Sequence, residues 1–576
     1  MQIFSRPVAH GGLTRGQAAG STPGMGPGRF GAMFDDVDPN RPQWDDDLLS
    51  GLADIMTRAL NPDPGRPITE DDDGDENPTI PAGYTYFGQF VDHDITFDPT
   101  PLRAKNFDLE ALEDFRTPAL DLDCVYGSGP DVQPYLYVKE SRNGSVRTKL
   151  RLGRDLTSTG GTGRAVNLHD VFRLPPEANG QAIAILGDKR NDENQLVAQF
   201  QATMIQLHNR VIDDDALLSK FGSPDLSDEV DRFRAAVTCV RWHYQWVVLN
   251  DLVRRITAPG TIEEVLNPGG MPRLQRYLGT KPGGPQFAYI PVEFSAAAYR
   301  MGHSMIRPSY ALNDGVGTGA PFPNRVPIFK PFGQPSEALN GFGKLFPANW
   351  GLDMAFFLPL QPSAAASTGQ FKLPQASYRM DANLVDPLAA LPEFEGLLAD
   401  PQKKREANLA FRNLVRAKLL RLPSGESIAK ALLGKAMSFD ELWWAGSRDH
   451  GVPIADADLK AIADRRKAFG QSHRAAIEGR TPLWYYILRE AERFGNMRDP
   501  TDIFGGQHLG PVGSRIVVET FVGLLWMDQT SFLHAPAGFK PAIPSLPRPS
   551  SGNALSPFDL TDLVAYALGA PNQKRV

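Results

Sequence analysis

A chain of 576 residues with 41% hydrophobic content is long enough to bury a large core. Its net charge of −7 argues against nucleic acid and anionic membrane as main partners. No run approaches the roughly 18 apolar residues of a membrane span. Two cysteines, Cys124 and Cys239, offer neither a disulfide framework nor a CxxC metal motif, so each is expected as a free buried thiol.

Residues 1–40, rich in Gly and Pro, read as a flexible arm, and residues 41–576 as one folded unit. The first 31 residues lack a basic-then-apolar signal peptide, which predicts a cytoplasmic protein or one exported without a cleavable N-terminal signal. The acidic run at residues 70–76 reads as a solvated loop, because its composition but not its spacing is that of an EF-hand.

The most informative segment comes next, Gly88-Gln89-Phe90-Val91-Asp92-His93-Asp94. If helical, it places Gln89, Asp92 and His93 at i, i+3 and i+4 on one face. A lone histidine is commonly a satisfied core residue. A stripe of amide, carboxylate and imidazole, however, is poor core material and suits one side of a redox cofactor. Short strands are expected at residues 135–138 and 182–186. The glycines at 160, 161 and 163 lack the lysine of a phosphate loop.

Gly187-Asp188-Lys189-Arg190-Asn191-Asp192-Glu193 opens an amphipathic helix expected over residues 193–213, where Leu196, Val197, Phe200, Met204, Leu207 and Val211 form a stripe. Arg190 and Glu193, three apart, either project together into a site or form an ordinary acidic first turn. A second long helix is expected over 231–256. His303 stands in Arg300-Met301-Gly302-His303, where the glycine permits close approach by something flat; a core histidine is the alternative. Further helices are expected over 404–420, 455–468, 483–494 and 512–526. Sustained period-2 patterns are scarce, and 54 Gly with 49 Pro demand long connections. The expectation is one large, mainly α domain with long loops and few short strands, because the segments at 88, 190 and 303 have to meet. HExxH, Walker A and GxSxG motifs are absent.

Together these segments resemble the peroxidase–cyclooxygenase superfamily, the animal-type haem peroxidases, and its bacterial members in particular, over roughly residues 80–540. The resemblance implies haem b, with His93 as distal acid/base, Arg190 as the distal charge and Gln89 as the distal glutamine near a halide and water site. It implies His303 as the iron's proximal ligand, Asn413 as that histidine's partner and Arg300 as partner of a haem propionate. Asp92 and Glu193 match the carboxylates that form ester links to haem in mammalian relatives. Thr117-Pro118-Ala119-Leu120-Asp121-Leu122-Asp123 resembles a calcium loop, with Thr117, the Ala119 carbonyl, Asp121, Asp123 and Asp94 as ligands.

The activity implied by this resemblance is that of a peroxidase. It would reduce hydrogen peroxide and oxidise small organic donors, halide or thiocyanate through an oxyferryl state. Two alternatives belong to the same superfamily: a fatty-acid dioxygenase, and a peroxinectin-like adhesion protein. Arg300 stands where the oxygenases carry a radical-forming tyrosine, and Tyr299 would point elsewhere on a helix. Asn194 after Glu193 leaves no methionine for a third haem link. Ser447-Arg448-Asp449-His450-Gly451 resembles a family signature but lies too late in the chain, and is read as coincidence.

Overall fold

Eight helices carry the part of the architecture that positions the site. α1 (Asp46–Met56) starts at Asp45, whose carboxylate accepts from Leu48 N, and buries Leu48, Leu49, Leu52 and Met56. Strand β1 (Glu76–Pro81) leads into α2 (Gly83–Ile95), which holds the 88–94 segment. The hairpin β2 (Tyr137–Arg142) and β3 (Ser145–Leu150) precedes α3 (Gln195–Val211). α4 (Glu229–Val247) runs on through a π turn, Val248–Val253. Strand β4 (Ala376–Tyr378) pairs antiparallel with β1. α5 (Leu409–Leu419), α6 (Leu483–Phe494), α7 (Pro511–Met527) and α8 (Leu560–Ala567) complete the set. The computed structural model describes residues 29–38, 41–57, 76–98, 114–157, 168–268, 271–278, 287–316, 325–329, 337–360, 373–400, 403–443, 457–495, 505–536, 538–548 and 555–569.

The fold is mainly α, and the strands form small two-stranded sheets. One hydrophobic core runs through it, with α2 near its centre. Phe87 is fully buried against Phe90, Phe200 and Tyr244, at ring-centroid distances of 6.2 to 6.4 Å. Cutting Phe87 to Ala would cost about 3–5 kcal/mol by the usual cavity penalty. α2 is also tied sideways: Tyr84 donates to Asp251 Oδ2 at 2.7 Å, and Arg255 donates to the other oxygen of the same carboxylate. Its first residue has to be small. A Cβ on Gly83 would lie 2.6 Å from the Phe357 carbonyl, to which the Gly83 amide donates.

Several expectations change in detail. The helix expected from 193 begins at Gln195, because Asn194 turns its side chain back to accept from Val197 N. Arg190 therefore lies on a 3₁₀ turn, Lys189–Asp192. His303 likewise ends a 3₁₀ turn, Ala298–His303. The strand expected at 182–186 is an isolated bridge, Arg173 to Ala184, and at 135–138 the chain makes a 3₁₀ turn before β2 begins. Residues 29–38, expected within the arm, are packed where they are described. Phe30–Gly31 pairs with Ile290–Pro291, and the Glu293 carboxylate accepts from the amides of Met33 and Phe34. The rest of that arm, the acidic run before Glu76, the glycines at 160–163 and residues 447–451 lie outside the described residues. Both cysteines are free and buried. Among the described residues no helix is long and apolar enough to cross a membrane.

Candidate functional site: a cavity between two histidines

His93 from α2 and His303 from the 3₁₀ turn line one cavity of about 320 Å³. Gln89, Asp92, Glu193 and Arg300 line it too, and Ile306, Ile328, Leu388 and Leu391 give it apolar walls. A second lobe of about 270 Å³ shares Arg300 and Leu409 with the first and collects Arg190, Arg412, Asn413 and Arg416.

On the α2 side, His93 is 5% exposed, and its Nδ1 lies 2.8 Å from Asn191 Oδ1. Nε2 faces the opposite way, 4.0 Å from Glu193 Oε2. Burial drives the ring's pKa down to about 4, Arg190 adds to this, and Asp188, Asp92 and Asn191 oppose it. The imidazole is therefore neutral at ordinary pH. Gln89 is held from both ends: it donates to Glu193 Oε2 at 3.3 Å and accepts from Asn194 Nδ2 at 3.2 Å. Asp92 accepts from the Thr96 hydroxyl at 3.1 Å. Glu193 lies deep in the protein but fronts the void, so 36% of its side chain is uncovered. Burial raises its carboxyl to about 7, with Glu393 and Asp92 adding and Arg190 and Arg300 opposing.

Arg190 lines the second lobe rather than the lobe between the histidines. It donates to the carbonyls of His93 and Thr96 and to the Asp188 carboxylate, and lies over the Phe97 ring at 4.6 Å. Asp188 is what aims it. Against the upward push of burial, Arg190 and Arg116 hold the Asp188 carboxyl well below its usual range.

On the other side, the amide of Asn413 sits 2.9 Å from His303 Nδ1 through its Nδ2. The His303 ring stands edge-on to Trp484, at 6.3 Å and 89°. Burial, then the Arg300 charge, lowers its pKa to about 3. Arg300 donates through Nε to the Ser295 carbonyl at 2.8 Å. Burial works against its charge, Arg416 and Arg190 add to that, and Asp92 opposes it.

Asp94, beside His93, belongs to a different cluster. Its carboxylate, with those of Asp121 and Asp123, presents oxygens within 4.8 Å of one another. Asp94 Oδ2 accepts from Leu122 N and the Tyr244 hydroxyl. Asp94 Oδ1, Asp123 Oδ2 and Thr117 Oγ1 are buried with no hydrogen-bond partner. Burial pushes the Asp94 carboxyl well up, and Asp121 and Asp123 add to it. Ala119 is buried in the same loop, and Leu122 holds φ at 59°, a left-handed conformation that costs about 1–2 kcal/mol. Three orphaned oxygens in an acidic pocket could hold a hard divalent cation.

The cluster is wired to the cavity. Arg116 bonds Asp123 Oδ1 at 2.9 Å and pairs with Asp188, which in turn holds Arg190 at 2.8 Å. Gly187 lies in close contact with this loop, and a Cβ there would meet the Cys124 carbonyl oxygen at 2.4 Å.

Residues 114–349 match the family model described as animal haem peroxidase. This segment belongs to the animal haem peroxidases. It includes Arg190, Glu193, Arg300, His303 and the loop at 117–123, while Gln89, Asp92, His93, Asp94 and Asn413 fall outside it. Similar solved structures include peroxidase A from Dictyostelium discoideum, 14% identical, covering 88% of this chain and 87% of that one, with TM-score 0.49. Fatty acid alpha-dioxygenases from Arabidopsis thaliana and Oryza sativa are each 15% identical and cover 85% of this chain; they cover 72% and 74% of their own, with TM-scores 0.46 and 0.47. No curated protein sequence matches the chain.

Asn191, Gln201 and Trp484 carry no local pattern that marks them in the sequence as parts of the site. Asn191 stands beside Arg190, and Gln201 is one of four glutamines on an amphipathic helix, so neither stands out from its neighbours.

Proposed function

We propose that the chain is a haem-dependent peroxidase that reduces hydrogen peroxide and oxidises small organic donors, halide or thiocyanate. The observation that carries this reading is the pair of neutral imidazoles facing one cavity, the buried His93 with Asn191 behind its Nδ1 and the half-buried His303 with an amide at its Nδ1. The residues suit haem b. His303 Nε2 would be the ligand atom, with the Asn413 amide turned so that its oxygen accepts from an Nδ1–H. Gly302 adds no bulk, since a Cβ there meets nothing within 4 Å. Arg300, Arg412 and Arg416 give the second lobe the charge that a propionate group requires. Asp92 and Glu193 front the cavity where ester links to the macrocycle would form. Asp94, Thr117, the Ala119 carbonyl, Asp121 and Asp123 would hold calcium.

Bound haem supplies the iron that exchanges electrons with peroxide and donor. The chain's own part is proton handling and charge. His93 Nε2 takes a proton from the incoming peroxide and returns it to the departing oxygen. Arg190, bonded to the His93 carbonyl, fixes the end of α2 and places a permanent positive charge beside the site, which favours developing negative charge. Gln89, held by Glu193 and Asn194, presents an amide in the lobe between the histidines for water or a small anion.

The test is an absorption spectrum of the purified, haem-supplemented chain before and after stoichiometric peroxide. A ferric Soret band that shifts with peroxide, and shifts about 10²–10⁴-fold more slowly in His93→Ala, is the expected result. Acid–acetone extraction after turnover reports whether haem has become attached. Oxygen uptake with a fatty acid would point to a dioxygenase instead, and no Soret band would point to a binding protein.

A further inference from the structure

Behind His93, on the side away from the cavity, three polar groups from three segments form a row. His93 Nδ1 meets Asn191 Oδ1 at 2.8 Å. Asn191 Nδ2 donates to Gln201 Oε1 at 2.8 Å. Gln201 Nε2 donates to the carbonyl of Cys124 at 3.3 Å. Asn191 is 0% exposed and Gln201 1%, so water does not complete or reverse the row.

The far end sets its direction. A backbone carbonyl only accepts, so Gln201 has to turn its NH2 group toward Cys124. That leaves the Gln201 oxygen facing Asn191, which has to answer with its own NH2 group. The Asn191 oxygen then faces His93. An amide oxygen cannot donate, so the proton in the last link belongs to Nδ1.

We infer that Asn191 and Gln201 are positioning residues that hold His93 in its Nδ1–H tautomer, with Nε2 bare toward the cavity. The inference rests on the reading of His93 as the base for peroxide. With the opposite tautomer, the ring would present N–H to peroxide and have nothing with which to take its proton. The Asn191 bond raises the ring's basicity, but by less than burial and the neighbouring charges shift it, so the neutral row mainly fixes the proton's place. Among the described residues, His303 has a shorter support, the Asn413 amide at its Nδ1.

The deciding experiment is ¹⁵N NMR of the full chain with labelled histidine, recorded before haem is added. The His93 signals are assigned by their loss in His93→Gln. The expected spectrum shows a protonated Nδ1 and a bare Nε2. Asn191→Asp keeps an oxygen at the same place and should retain that pattern; Asn191→Leu removes the acceptor and should lose it. After haem loading, Asn191→Leu should keep its Soret band but react with peroxide about 10- to 100-fold more slowly, the usual effect of removing an imidazole's outer partner. Cyanide binding, which also needs a bare nitrogen to take the acid's proton, should slow in parallel. A wild-type ring protonated on Nε2 overturns the inference even if Asn191→Leu fails to fold. So does an Asn191→Leu ring with unchanged nitrogens and unchanged rates. Because the tautomer is read without haem, a loaded chain inert to peroxide would overturn the base role of His93 while the ring nitrogens still decide the inference.

Discussion

His93 stands in regular helix with three hydrogen-bonded groups in line behind its ring, whereas His303 closes a 3₁₀ turn with one amide at Nδ1 and the edge of Trp484 against it. His93 is buried and His303 half-buried, and desolvation holds both rings neutral. What differs is how much of each ring is specified. A base has to keep a proton off one particular nitrogen, so its support must carry polarity over several bonds. A metal ligand is fixed by the metal bond itself, so its partner needs only to orient the ring and tune it.

The largest expected effect tests that division directly. His303→Ala should abolish the ferric Soret band of the haem-supplemented chain, while His93→Ala should keep it. Loss of the band in both would mean that the two sides share the work of holding haem. A smaller effect is expected one bond further out. Asn413→Ala should retain haem but weaken its binding about 10- to 100-fold, measured as the rate of haem transfer to an acceptor protein. Unchanged retention would remove Asn413 from the proximal support. The gentlest test is acid. The His93 ring is held at about 4, so its neutral form persists as pH falls through the ordinary histidine range. The rate of reaction with peroxide, followed by stopped flow, should stay level from neutral pH to near 5 and fall as pH drops through about 4. A midpoint near 6.5 would show that the ring is solvated rather than buried.

Sequence reasoning reached the helical faces more readily than the turns. Gln89, Asp92 and His93 share a face because the period of a helix is fixed, and α6 runs from Leu483 to Phe494, the bounds its apolar stripe suggested. The helix after Arg190 begins two residues late because Asn194 prefers to cap it. That shift puts Arg190 on a 3₁₀ turn, where Asp188 decides which way the guanidinium points. Spacing carries no record of such a choice. The partners of Asn191 and Gln201 were out of reach for a related reason. His93 lies 98 residues from Asn191 and Cys124 lies 77 from Gln201, so these pairings depend on how the segments pack rather than on any local pattern. The acidic loop, by contrast, was legible through resemblance, since Asp121 and Asp123 alternate within a few residues and only Asp94 comes from elsewhere.

Gly187 sits where these two systems meet. Its α-carbon approaches the carbonyls of Asp123 and Cys124 so closely that any side chain would press on both, the first belonging to the acidic loop and the second anchoring the amide row behind His93. For a lineage drifting under mutation, that position has no neighbouring step. A side chain there would push on the acidic loop and on the amide row at once, so a single contact couples the two.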